Sequence, residues 1–387
     1  MSLVSVRAEG FAYGGEAFGR LPDGRVCFFR GGVPGETAEL ELISEKRSFA
    51  RGALRKVTEA SPARIEPVCP QAVRPGGGVF CPGCSFQQVE YSVELLWKQR
   101  QLTDFITRRK LAEASAIEEP VPAPSRFGWR NRIKLSRSAG SVGFFAEDNV
   151  SIIPVAHCPL AVAAIDAAMP DCRKFSGDGE IFLRWTAKDG VIVNGGSRMV
   201  TEELGEFGSF QVPASSFFQT NPRVAELLLH GAVGVLEKVG AKRLLELYCG
   251  VGVFSLAAAR MIPDLHSVGV ELDAPAVDCA RRNAGVQLVA DRCRFAVGNA
   301  EKWRELPKGM IPDAVLVDPP RRGLSEKLIG SLKRWRIPHV IYVSCAPDTL
   351  ARDLERLSET YRVAMCRLYD MFPCTAHFET LARLDLK

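Results

Sequence analysis

The pattern of apolar and polar positions divides the chain into stretches of different period. Over residues 1 to about 60, short strand-like runs are punctuated by Gly10, Gly14, Gly15, Gly19, Gly24, Gly31, Gly32 and Gly35. Strands and turns at this spacing predict a small β-barrel. From Tyr91 to Leu111 the period lengthens, and Leu95, Leu96, Gln99, Leu102, Phe105 and Ile106 mark one side of a long helix. Between Phe127 and Val155 the two-residue period returns, opening on Trp129–Leu135. Alternation there places Arg130, Arg132 and Lys134 on one face, suited to a phosphate backbone, although a solvated sheet face is the commoner arrangement. Residues 160 to 210 carry less pattern, and Cys172, with no partner spacing, reads as structural.

After Phe217-Phe218-Gln219-Thr220-Asn221-Pro222 comes a helix through Leu227 to Leu236, then apolar runs that each end in a polar loop. Arg243–Tyr248, Ser267–Val270, Arg294–Val297 and His339–Val343 read as buried strands, the last followed by a helix with Leu350, Leu354 and Leu357 on one face. Strands alternating with helices predict an open α/β sheet, whose ligands gather at the carboxyl ends of the strands. At 387 residues the chain exceeds what one core organises. The expected organisation is multidomain α/β: a barrel over 1–60, a central α+β domain over 61–215, and a Rossmann-like domain over 216–387. The helix at 91–111 is expected to pack on the last.

Composition narrows the class. Hydrophobic content of 47% and charged content of 25% are those of a globular protein. No apolar run reaches the roughly 18 to 20 residues of a membrane span. Met1–Arg7 lacks the apolar core of a signal peptide, so a cytoplasmic location is expected. Twelve cysteines in a reducing compartment suit metal ligation or catalysis better than disulfides. The net charge of +5 permits nucleic acid without demanding it. Arg20, Arg25, Arg30, Lys46, Arg47, Arg51, Arg55 and Lys56, interleaved with Phe18, Phe28, Phe29 and Phe49, suit single-stranded nucleic acid. Eight acidic residues in the first sixty nearly balance the nine basic ones.

Two sets of residues carry candidate chemistry. Cys81-Pro82-Gly83-Cys84 puts two thiols on one tight turn, eleven residues separate Cys69 from Cys81, and Cys158 lies about seventy residues on. Four thiolates suit tetrahedral zinc or an iron–sulfur cluster, and three clustered ligands with one distant favour [4Fe-4S]. In the last domain, Cys249-Gly250-Val251-Gly252 turns a strand into a helix, where backbone can approach a ligand. Glu271 ends the next strand, placed for the hydroxyls of a ribose, and Asn299 follows the third, placed for an adenine. Position 255 is serine, so the third glycine of a dinucleotide fingerprint is missing and S-adenosyl-L-methionine is favoured over NAD. Cys345, at the end of the His339–Val343 run, is either a nucleophile or a small buried residue. Two rigid segments flank it, Val317–Gly323 and Phe372–Glu379.

Together these segments resemble the bacterial uracil-5 RNA methyltransferases, in the branch with an N-terminal TRAM domain and an iron–sulfur cluster that is best known for 23S ribosomal RNA. Asp318-Pro319-Pro320-Arg321, Ser344-Cys345-Ala346-Pro347, and Phe372-Pro373 followed by Thr375, His377 and Glu379 look like the family's three signatures. The likeness runs over essentially the whole chain. It implies an OB/TRAM-like barrel, an iron–sulfur central domain and a class I methyltransferase domain. It further implies that Cys345 is the nucleophile and Glu379 the base, that Gln219, Tyr248, Glu271, Asn299 and Asp318 contact S-adenosyl-L-methionine, and that Cys69, Cys81, Cys84 and Cys158 hold a [4Fe-4S] cluster. The implied partner is 23S ribosomal RNA, with the T-loop of transfer RNA as rival and no membrane or obligate protein partner. The sequence departs from the pattern in the longer gap after Cys69, in Ala346 and Val253 where polar residues are common, and in Cys374, an extra thiol read as packing.

The chemistry fits these residue types. C5 of uracil is too weak a nucleophile to take a methyl group unaided, and addition of a thiolate at C6 gives C5 carbanion character. A base must then remove the C5 proton before the sulfur can leave. Asp318 is suited to the uracil edge or to a ribose. A stacked uridine must be flipped out to reach such a site, with Phe217 placed to fill the gap or cover the base. An N-methyltransferase would carry an aromatic residue after Asp-Pro-Pro, where this chain has Arg321, and would need no cysteine. A non-catalytic iron–sulfur protein that binds RNA or senses redox state would not need Cys345 and Glu379 intact.

Overall fold

In the computed structural model, which describes residues 3–307 and 309–387, five strands close the expected barrel. They are β1 (Leu3–Phe11), β2 (Ala17–Arg20), β3 (Val26–Phe29), β4 (Thr37–Glu45) and β5 (Phe49–Glu59), ordered β1-β2-β3-β5-β4 around the ring. Alternation explains the closure: Val6, Ala8, Ala17, Cys27, Ala38 and Leu40 all point inward and are buried. Gly10 lies against the Trp97 ring, and a Cβ there would come within 2.4 Å of it. Phe29, counted above among exposed platforms, is core at 1% exposure, because β3 turns Cys27 and Phe29 in and Phe28 out. The barrel's cations are largely spoken for: Arg25 pairs with Asp23 and Glu45, Arg51 with Glu16, and Arg55 with Glu41.

Phe86, Val89, Val93 and Trp97 complete the barrel's own core, so a cut at residue 60 would divide one hydrophobic cluster. The chain accordingly forms two compact units, drawn differently from the three segments expected at 1–60, 61–215 and 216–387. The first comprises Met1–Gln101, Ser125–Leu183 and Phe372–His377; the second comprises Leu102–Pro124, Arg184–Met371 and Phe378–Lys387. Met1 and Ser2, part of the N-terminal stretch discussed above, lie outside the described residues.

Helix α1 (Tyr91–Thr107) ends one turn short of the predicted Leu111. Lys110 adopts a left-handed φ of 55° and the Leu111 N–H closes back on the Ile106 carbonyl at 3.0 Å, which terminates the helix. Its buried side also differs from the prediction: Leu96 is 46% exposed, whereas Glu94 and Lys98 are fully buried. Lys98 Nζ donates to Glu94 Oε1 (2.7 Å) and to the Phe372 carbonyl (3.2 Å), and Glu94 Oε1 also accepts from the Cys374 N–H (2.7 Å). Arg126 Nη2 lies 3.5 Å from Glu94 Oε2 as a longer ion pair, and removing Lys98 deprives the buried carboxylate of its 2.7 Å one. Lys98→Met is expected to cost about 3–5 kcal/mol in denaturant unfolding, and Glu94→Gln with Lys98→Met to recover much of it. A single variant as stable as the parent would refute this account of α1.

The first unit also holds β6 (Arg132–Ser138), β7 (Ser141–Phe145) and β8 (Ile152–Pro154) in antiparallel order, and a short α2 (Ala163–Ala168). The division between units falls within β9 (Gly179–Thr186). In the second unit β10 (Gly190–Val193) is followed by a hairpin of β11 (Met199–Glu203) and β12 (Ser209–Pro213). Then α3 (Pro222–Lys238), capped by Asn221 with Pro222 in its first turn, leads into the large sheet. Its elements are β13 (Arg243–Leu247), α4 (Val253–Met261), β14 (His266–Glu271), α5 (Ala274–Val286), β15 (Cys293–Val297), β16 (Ala314–Val317), α6 (Glu326–Trp335), β17 (His339–Ser344), α7 (Pro347–Leu357), β18 (Tyr361–Tyr369) and β19 (Glu379–Leu386). The order is β15-β14-β13-β16-β17-β19-β18, with only β19 antiparallel to its neighbours. The strand order reverses between β13 and β16, which is where such sheets open a ligand crevice. No helix among the described residues is long and apolar enough to cross a membrane.

Candidate active site

Register brings the predicted residues of the second unit to one edge of the large sheet. Leu247 pairs with Val270 and with Val317, Glu271 with Val297, and Ser344 with Thr380. Tyr248, Glu271, Asn299, Asp318 and Cys345 therefore leave the carboxyl ends of β13, β14, β15, β16 and β17, and Glu379 opens β19 beside the end of β17. The strands beneath are buried, while Tyr248, Glu271, Asn299, Asp318 and Cys345 are each half-buried. That gradient is the signature of a crevice floor.

The turn after β13 is built by backbone constraint. Tyr248 holds a φ of 65°, costly for a residue with a side chain, and Gly250 and Gly252 follow at 54° and 84°. A Cβ on Gly252 would strike the Phe295 ring at 2.7 Å, whereas one on Gly250 would meet nothing within 4 Å. Gly252 is thus demanded by packing, and Gly250 borders open space at the head of α4. Buried Glu246 steadies the turn by accepting from the Ser255 N–H at 2.8 Å, and burial pushes its carboxyl up to about 8. Glu271 accepts from the N–H groups of Gly250 (3.1 Å), Leu272 (2.7 Å) and Asp273 (3.0 Å). Three of about four acceptor positions are filled, so a two-handed grip on a ribose requires one of these bonds to open. Asn299 Oδ1 accepts from the Glu301 N–H at 3.0 Å, which leaves its Nδ2 donors as what it offers a ligand.

The loops after β16 and β17 are tied together by Asp353, a fully buried residue of α7. Its carboxylate accepts from the Tyr342 hydroxyl (3.0 Å), the Leu324 N–H (2.7 Å) and Arg352 Nε (2.9 Å). Gly323, at a φ of 76°, passes so close that a Cβ would lie 2.3 Å from Asp353 Oδ2. Thr349 Oγ1 donates to the Arg321 carbonyl at 3.1 Å. The sequence reading missed Asp353, although an acid three residues after Leu350 on a buried helical face was its signal.

Burial dominates the electrostatics of this edge. It pushes the Cys345 thiol up to about 12, with the Glu379 and Asp318 carboxylates adding to it and Arg321 opposing. Burial and then Asp318 hold the Glu379 carboxyl well above the ordinary range, with Arg321 again opposing. Burial alone lifts Asp318 to about 7. Glu379 is 8% exposed and its Oε2 has no hydrogen-bond partner among the described residues. Such a group has no structural use for its charge, and perturbed carboxyls of this kind concentrate at reactive sites.

Gln219 is half-buried two residues before the cap of α3. The segment ahead of it is anchored by buried Arg184, whose Nη1 donates to the carbonyls of Pro213, Ala214 and Ser216 while Nε reaches Glu202 at 2.8 Å. Phe218 is buried and Phe217 is 72% exposed.

In the first unit Cys69, Cys81, Cys84 and Cys158 line one small cavity. Gln87, also missed from sequence, braces it: Oε1 accepts from the Cys69 N–H at 3.0 Å and Nε2 donates to the Cys84 sulfur at 3.2 Å. Burial raises the thiols of Cys81, Cys84 and Cys158, and neighbouring thiols add to it. No group of three or more His, Cys, Asp or Glu side chains among the described residues is arranged to hold a metal ion. Cys374 is buried with Trp129 and Leu160, the packing role expected of it.

Comparison with known proteins agrees with this fold. The family model described as tRNA (Uracil-5-)-methyltransferase matches residues 203–386, and that of the TRAM domain matches residues 2–54. A protein of Thermosynechococcus vestitus named an uncharacterized RNA methyltransferase is 29% identical, over 99% of this chain and 98% of its own. One of the same description from Halalkalibacterium halodurans is 26% identical, over 100% and 97%. Among solved structures, the Pyrococcus abyssi tRNA (uracil-54, C5)-methyltransferase in complex with S-adenosyl-L-homocysteine shares the fold, with a TM-score of 0.76 at 24% identity, covering 99% of this chain and 100% of that one. With the carboxyl edge of the sheet inside the matched segment, the chain belongs over residues 203–386 to the tRNA (uracil-5-)-methyltransferase family and carries a TRAM domain at residues 2–54.

Proposed function

We propose that this protein transfers a methyl group from S-adenosyl-L-methionine to C5 of a uridine in 23S ribosomal RNA. Cys345 is the nucleophile and Glu379 the base. The observation that carries the reading is the half-buried thiol at the end of β17 beside a buried carboxyl with an unpartnered oxygen at the start of β19. Eight of the twelve cysteines are buried, so a thiol left half-buried at the carboxyl edge is marked out for chemistry.

Open space beside Gly250 and the donors and acceptors of Asn299 and Glu271 suit an adenosine, with Tyr248, Asp318 and Gln219 as further contacts. When bound, S-adenosyl-L-methionine supplies an electrophilic methyl group and a positive charge. A cation at this edge favours the ionised forms of Cys345 and Glu379, whose ordinary ionisation burial suppresses. Cys345 Sγ bonds to C6 and C5 becomes the carbon nucleophile that takes the methyl group. Glu379 then accepts the C5 proton, the C5–H electrons restore the C5–C6 double bond, and the C6–S bond breaks to release Cys345 as thiolate.

No three of Cys69, Cys81, Cys84 and Cys158 are preformed around one point among the described residues, but the donor chemistry supports a [4Fe-4S] cluster: all four line one cavity, no carboxylate lines it, and Gln87 donates to one sulfur. Its role is to hold the loop-rich segment together, since methyl transfer moves no net electrons. Protein purified without oxygen is expected to be brown and to contain about four iron atoms per chain. Stoichiometric zinc, or four reactive thiols and no metal, would remove the cluster.

The same reaction on the T-loop of transfer RNA is the second reading, and the specificity named for the Pyrococcus abyssi relative favours it. Mapping 5-methyluridine in total RNA from a deletion strain separates the two. Loss of the mark from 23S ribosomal RNA supports the first, loss from transfer RNA supports the second, and an unchanged pattern rejects both.

A further inference from the structure

A second cleft, not used by the proposed reaction, lies in the first unit. Its volume is about 310 Å³, and Arg130, Lys134, Ser136, Phe144 and Phe145 line it together with the Cys81–Cys84 turn and Cys158, which carry three of the proposed cluster ligands. Positions 130, 134 and 136 share a face by strand alternation. Arg130 Nε donates to the Arg132 carbonyl at 3.0 Å, which fixes the guanidinium, and among the described residues no carboxylate pairs with it. Lys134 Nζ lies 2.5 Å from Glu180 and 6.0 Å above the Phe182 ring, in an exposed pair weak enough for a phosphate to displace. Phe145 is 41% exposed, an open aromatic face beside two cations.

The geometry points to this cleft as a subsite for one nucleotide of the substrate RNA other than the target uridine. The phosphate sits on Arg130 and Lys134 and the base stacks on Phe145. The volume is at the lower end for a small-ligand pocket, which matches a single unpaired nucleotide and excludes a duplex. Cations with an aromatic platform are the recurring means of holding single-stranded RNA without reading its sequence. An acidic peptide would use the cations and leave the ring idle. This inference rests on RNA being the substrate.

The test is the affinity of a short single-stranded RNA, measured by fluorescence anisotropy at several salt concentrations. Proteins are purified without oxygen and matched in metal content. Phe145→Ala is expected to weaken binding fivefold or more with an unchanged salt slope, while Phe145→Tyr binds as the parent does. Arg130→Gln is expected to weaken binding and to flatten the slope of log affinity against log salt by about 0.7. Parental affinity in both Phe145→Ala and Arg130→Gln overturns the subsite, as does an equal loss in Phe145→Ala and Phe145→Tyr. If the parent protein shows these dependences yet methylates no uridine, the subsite stands and the proposed reaction fails.

Discussion

Cys345→Ala is expected to abolish methylation, on the order of 10⁴-fold or more, while S-adenosyl-L-methionine binds as tightly as to the parent protein. The separation follows from the register of the sheet. Cys345 leaves β17, two strands from the Gly250 turn of β13, with β16 between, so truncating the thiol removes no proposed contact to the adenosine. The cavity left is that of one sulfur in a half-buried position, too small to unfold the domain. Activity within tenfold of the parent would exclude a covalent step through this residue; lost cofactor binding would mean that its role is architectural. The pH dependence of the thiol provides a check independent of turnover. Because burial and two carboxyls push it up to about 12, alkylation of Cys345 in the cofactor-free protein should keep rising well past pH 9. A free cysteine instead levels off near its ordinary value of about 8.5. Peptide mapping distinguishes Cys345 from Cys81, Cys84 and Cys158, the other half-buried cysteines.

How much of this was legible in the sequence depends on what each residue answers to. The strands of the large sheet are short apolar runs buried on both faces, and such runs declare themselves one by one. Their carboxyl ends are fixed once the runs are found, which is why Glu271, Asn299 and Cys345 could be named before their positions were known, whereas Tyr248 and Asp318 came from the likeness to a known family. The barrel was legible for the same reason, through Gly10 and its neighbours. Phe29 was misjudged because a basic and aromatic composition says nothing about which side of a strand a ring occupies. Helix α1 was legible as a helix, with Leu102 and Ile106 buried as expected, but its buried stripe was read only in part. Its buried stripe contains Glu94 and Lys98, and an apolar-period rule assigns ionised residues to solvent unless it can see the partner. That partner includes backbone more than two hundred and seventy residues away, at Phe372 and Cys374. Asp353 and Gln87 escaped for a related reason, since each serves loops separated from it in sequence.

Two acids of the second unit, buried Glu246 and half-buried Asp318, explain where stability has been given up. Glu246 at about 8 and Asp318 at about 7 both lie above their unfolded values of about 4. The folded protein therefore binds more protons than the unfolded chain between pH 4 and those values. Their contribution is fully present below about pH 4 and is lost as pH rises through the folded pKa. At neutral pH both groups oppose folding. Glu246 is repaid through the Ser255 N–H, but among the described residues no ion pair compensates Asp318, and a carboxyl that costs stability in the empty protein is one whose use awaits a ligand.

Glu379→Gln is the sharper test, because it separates methyl transfer from release. Glutamine keeps the shape of the side chain, and it resembles the uncharged acid that burial already favours at this position, so the fold and the approach of the uridine should be preserved. Cys345 can still add to C6, and C5 can still take the methyl group. The amide cannot accept the C5 proton, so the C6–S bond cannot break, and elimination is expected to slow by about 10²–10⁴-fold. The protein should therefore accumulate bonded to methylated RNA and migrate as a denaturation-resistant species. Cys345→Ala combined with Glu379→Gln should yield no such species, which distinguishes a covalent adduct from tight binding. If the single variant instead releases methylated RNA at the parental rate, another group takes the proton. Asp318, whose carboxyl is half-buried on the same edge and pushed up to about 7, would then be the next residue to replace.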